Sequence, residues 1–118
     1  METIILSSLI NNEEFVRKSL PFLDARYFDD ASDKQIFKLI KTHLDQHNVL
    51  PTKEILLIEL DGIDNLNQDF FESIQNRITQ LSSENKVEDQ SWLTTQTEKF
   101  CQDKAIYNAV VDSIGILE

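Results

Sequence analysis

The sequence predicts an all-α fold, a compact bundle of about five short helices followed by one long C-terminal helix. Three observations predict it. Apolar residues recur at three- and four-residue spacing along nearly the whole chain, strict alternation over strand lengths is scarce, and the periodic segments are bounded by recognisable caps and breakers. With 118 residues, 41% of them hydrophobic, the chain is long enough for one core and too short for two ordinary domains.

The first element is a short apolar helix over residues 3 to 10, carrying Ile4, Ile5, Leu6, Leu9 and Ile10. Asn11 and Glu14 then have the spacing of a capping pair, in which a side-chain oxygen and a carboxylate satisfy first-turn amides that lack intrahelical partners. A second helix is expected from about Asn12 to Leu20, with Phe15, Val16 and Leu20 inward. Pro21 ends or kinks it.

After the connector DARYFDD, where Tyr27 and Phe28 are expected to act as anchors, Ser32 and Gln35 repeat the capping-box spacing. They launch the clearest amphipathic helix, with Ile36, Phe37, Leu39, Ile40 and Leu44 on one face and Lys34, Lys38, Lys41 and Asp45 mostly on the other. Pro51 precedes a Thr52 cap and a short helix in which Ile55, Leu56, Leu57, Ile58 and Leu60 are all apolar, so it is either central or partly covered by another surface. Gly62 stops it. Asn67 caps a fifth helix bearing Phe70, Phe71, Ile74, Ile78 and Leu81, and the polar run SSENKVEDQS follows. The expected organisation is therefore a bundle over 1–82, a polar connector over 83–90 and a long helix over 91–118.

That last helix carries an apolar residue every seven positions, at Leu93, Phe100, Tyr107 and Ile114, with Val111 joining the seam and Trp92 at its start. From Ile106 onward, Ile106, Ala109, Val110, Ile116 and Leu117 widen the apolar face beyond what one core requires. Either a second surface covers it, or the chain is part of a longer one. Tyr107, Val110, Val111, Ile114 and Leu117 are the candidate association surface.

Composition excludes several function classes. Eleven Lys and Arg stand against 21 Asp and Glu, a formal charge of −10, which disfavours binding to nucleic-acid backbones and to acidic membrane surfaces. The segment IILSSLI is too short and too polar to be a signal peptide or a membrane span. One cysteine, Cys101, permits neither an intrachain disulfide nor a cysteine-cluster metal site and fits a reducing cytoplasm. With two glycines, neither a GxxxxGK[ST] loop nor a GxGxxG turn can be written, so no catalytic or cofactor-binding residue is expected.

The remaining chemical candidates have plainer readings. His43 and His47 have the four-residue spacing that lets two imidazoles share a metal, but without an HExxH glutamate or a Cys partner a solvated helix end is the better reading and no metal is expected. The pairs Glu13/Glu14 and Asp29/Asp30 fit capping and surface charge, since adjacent helical residues do not converge on one substrate. Cys101 has no base nearby in sequence and reads as a packing or partly exposed residue. Phe15, Phe37, Phe70, Phe71, Phe100 and Tyr107 fit core packing better than a base-stacking platform, which would sit in a basic groove.

The blocks IILSSLI, LDARYFDD, IFKLIKTHL, VLPTKEIL and SWLTTQTEKFCQDKAIYNAV occur in an order that resembles the N-terminal domain of DnaB-type hexameric replicative DNA helicases, in particular their T-even bacteriophage branch. Each block alone is a degenerate apolar pattern. Their order and the SWL...TEK block carry the resemblance.

The resemblance implies a helical bundle followed by a two-helix hairpin, of which the last helix here would be the first half. It also implies a ring collar made through hairpin contacts, recruitment of primase and other replisome proteins, and a motor domain further along a parent chain that unwinds DNA using ATP and Mg in the cytoplasm of an infected bacterial host. The motor's nucleotide loop is absent from this chain, so no catalytic residue carries over. A free-standing small phage adaptor or helicase loader is the alternative.

Overall fold

The computed structural model describes residues 1–83 and 89–117, with the side chains of Ile116 and Leu117 outside that description. The described residues form six α-helices: α1 (Glu2–Asn11), α2 (Glu13–Ser19), α3 (Ala31–His47), α4 (Lys53–Asp61), α5 (Gln68–Ser83) and α6 (Gln90–Leu117). Two short 3-10 turns, Leu20–Phe22 and Ala25–Tyr27, connect α2 to α3. No strand occurs among the described residues. Most of the expected polar connector, residues 84–88, lies outside them.

Local side chains set the helix boundaries, not always those the spacing suggested. Asn12, not Asn11, caps α2, its Oδ1 accepting from the Phe15 amide at 3.1 Å. One residue decides this, because Asn12 has the extended backbone of an N-cap while Asn11 is still helical. Likewise Asp30, not Ser32, caps α3 by accepting from the amides of Ser32 and Asp33. A carboxylate is a stronger acceptor than a hydroxyl and also favours the positive end of the helix. Thr52 caps α4 and Asn67 caps the start of α5 as their spacing indicates.

The core is one apolar cluster drawn from every helix. Ile5, Leu6 and Leu9 of α1, Phe15 and Val16 of α2, Ile36, Phe37 and Ile40 of α3, Leu56 and Leu60 of α4, and Ile74, Ile78 and Leu81 of α5 are buried in it. In α4, Ile58 is exposed, so the helix is half covered rather than central.

Two contacts between distant parts of the chain hold the layers together. Asp33, buried at the start of α3, receives Arg77 Nε from α5 at 2.9 Å, and Arg77 Nη2 donates to Thr3 Oγ1 of α1 at 2.9 Å. The second contact is aromatic. Phe28, in the connector before α3, is fully buried and stacks at 5.4 Å from Phe37 and 6.1 Å from Phe100 of α6, a spacing at which tilted rings attract. Lys34 Nζ donates to the Phe28 carbonyl and holds that connector in place.

Phe28→Ala would remove a fully buried ring from the junction of α3 and α6. The expected loss is about 3 to 5 kcal/mol in chemical denaturation; a loss below about 1 kcal/mol would show that the connector is not part of the core.

Candidate association surface

Helix α6 packs into the core along its first half only. Leu93 and Thr97 are buried, Phe100, Cys101 and Lys104 are half-buried, and the helix lies against α2 and the Ala25–Tyr27 turn. Lys104 Nζ reaches Asp29 at 3.0 Å and lies 5.8 Å from the Phe100 ring centre. Further along, Arg26 donates to both oxygens of Asp112, at 2.9 and 2.5 Å. These contacts fix the helix's azimuth.

That azimuth splits the seven-residue seam. Leu93 is buried and Phe100 half-buried, whereas Tyr107 and Ile114 are 63% and 54% exposed. A straight α-helix drifts about 20° per seven residues, so three repeats carry Ile114 roughly 60° off the face that Leu93 occupies. The inward face instead continues through polar residues, Lys104, Asn108 and Asp112.

Ile106, Tyr107, Val110, Val111 and Ile114, all exposed, make a continuous stripe on the flank beside the anchored face. At 100° per residue it spans roughly 140° and centres about a quarter-turn from the buried face. Four of the five expected association residues therefore share one surface. The fifth, Leu117, has its side chain outside the described residues.

On the opposite flank of α6 is a groove of about 350 Å³, lined by Ser19, Phe22, Thr97, Cys101 and Ala105 among others. Phe22 is exposed there, and the buried Thr97 hydroxyl has no hydrogen-bond partner among the described residues. Phe22 escaped sequence reasoning because the residue after Pro21 reads as part of a chain break.

Cys101 is half-buried beside that groove. Burial first, and the Glu98 charge second, push its thiol pKa up, the reverse of what a nucleophile needs. The carboxylate pairs are structural: Glu13 and Glu14 pair with Arg17 and Lys18 one turn along, Asp30 is a cap and Asp29 binds Lys104. His43 departs from expectation. It is buried rather than solvated, because α4 packs across it and brings Glu59 Oε1 to 2.6 Å from its Nδ1.

No protein-family model matches the chain. A DnaB-like replicative helicase of Enterobacteria phage T4 is 33% identical to it over 116 residues. This chain is similar to a replicative helicase. The similarity takes in 98% of this chain, bundle and α6 alike, and 24% of the helicase, so the chain spans about a quarter of that relative's length. No helix among the described residues is long and apolar enough to cross a membrane.

Two outcomes test this attachment. The hydrogen bond from Arg26, and then its charge, hold the Asp112 carboxyl below its ordinary value. The pair's contribution is therefore complete above about pH 3.9 and is lost as pH falls through the depressed value. Amide protection in residues 108 to 114 should persist at pH 5, fall on further acidification and weaken in Arg26→Ala at neutral pH; identical exchange in the variant would refute the tether. Cys101 should also react with iodoacetamide at pH 7 more slowly than free cysteine, an equal rate meaning that α6 does not pack there.

Proposed function

We propose that this chain is the non-catalytic N-terminal domain of a phage-type hexameric replicative helicase, serving subunit association in the ring collar. The observation that carries the proposal is the exposed stripe Tyr107, Val110, Val111 and Ile114 on a helix whose adjacent face is already anchored. An apolar stripe of this breadth beside a polar, charged surface is the mark of a protein contact. Similarity to a replicative helicase four times as long supports the parent's identity.

In this reading the parent's motor domain binds ATP and Mg and unwinds duplex DNA in the cytoplasm of an infected bacterial host. The present domain holds neighbouring subunits together. The groove beside Phe22, on the far flank of α6, leaves primase or another replisome protein a surface that subunit contact does not use. The acidic balance of the chain, −10 overall, leaves DNA contact to the motor.

Light scattering over a concentration series tests the association. The chain should gain mass with concentration, and Val111→Asp should weaken that association roughly tenfold or more by placing a carboxylate in an apolar contact. A strict monomer at high concentration, unchanged by Val111→Asp, would defeat the proposal.

A further inference from the structure

The histidine pair on α3 acquires a third partner only in the folded chain. His43 and His47 lie one turn apart with ring centres 4.6 Å from each other, and Glu59, two residues before the end of α4, joins them. One donor atom from each of the three side chains lies within 4.8 Å of the other two. Among the described residues, Glu59 has no lysine or arginine partner, so its negative charge faces imidazole alone.

We propose that His43, His47 and Glu59 form a binding site for a borderline transition-metal dication of the zinc class, which staples α3 to α4. Two imidazoles and a carboxylate are the donors such ions take, at about 2.0 to 2.2 Å from the metal. Tetrahedral donors at that radius stand about 3.4 Å apart. The 2.6 Å separation of His43 and Glu59 must therefore open by less than 1 Å, while His47, on the exposed side, closes in.

The ion takes the place of the hydrogen bond between His43 Nδ1 and Glu59, with neutral His43 carrying its proton on Nε2. Its charge is further favoured because the site lies at the C-terminal end of α3, where the helix dipole is negative and Asn48 turns the chain away in a left-handed conformation, φ 54°. Glu59 also lines a solvent-open groove of about 340 Å³ with Thr42, Gln46 and Gly62. Water can thus supply the fourth ligand. A hard cation such as calcium, which takes six or more oxygens, is not accommodated by this donor set.

The site has three graded positions. His43 is the buried floor, Glu59 is half-buried and His47 is exposed. His47→Ala therefore removes a ligand without touching the core, and Glu59→Gln keeps a hydrogen-bonding group beside His43 while removing the charge.

The experiment is calorimetric titration of zinc into the metal-free chain, with thermal unfolding and circular dichroism on each variant. The expected result is one zinc per chain, a rise in Tm of about 10 °C at a hundredfold excess over Kd, and binding weakened about tenfold or more in both His47→Ala and Glu59→Gln. Cys101→Ser should bind as the unaltered chain does. Absence of zinc binding, affinity in both ligand variants equal to that of the unaltered chain, or dependence on Cys101 would each overturn the proposal. Loss in only one of the two variants would overturn the three-ligand site.

Discussion

The length of α6 is the constraint on which the rest of this structure turns. Its 28 residues make a rod of about 42 Å, matching the longest dimension of the whole molecule, 43 Å. The five shorter helices cannot cover such a rod from end to end. Its N-terminal half is consumed by the bundle, and its C-terminal half stands against little more than the Arg26 and Asp29 edge.

The chemistry of the attachment changes along the rod accordingly. Leu93, Phe100 and the aromatic contact with Phe28 exclude water, and their stabilisation is that of a core. From Lys104 onward the contacts become ion pairs at the surface, which are weak and screened by salt. Such pairs orient a helix more than they stabilise it. Apolar residues on the neighbouring flank are thereby held outward in a defined direction, a preorganised surface rather than a loose end.

The same packing logic gathers chemistry inside the bundle. Asp33, Arg77 and Thr3 come from three helices and satisfy one another where a lone buried charge would be costly. His43, His47 and Glu59 meet where α4 crosses the end of α3. Neither group is contiguous in the chain. Each exists because helices chosen for their apolar faces also carry polar residues at the rims of those faces.

The sequence by itself determined the helical class, the number of helices and most of their inward residues, because spacing of three and four is a local property and capping needs only neighbouring residues. Phe15, Ile36, Phe37, Ile74 and Ile78 could be placed inward from periodicity alone. The exposed stripe was legible too, since a helix apolar over more than one face declares a surplus. Tertiary structure decided which repeat is buried: a heptad seam reads as one face, but the bundle covers Leu93 and stops short of Ile114, which has also drifted around the helix. It also decided His43, whose partner lies 16 residues away on another helix. No local pattern encodes that meeting, because it depends on the angle at which α4 returns across α3.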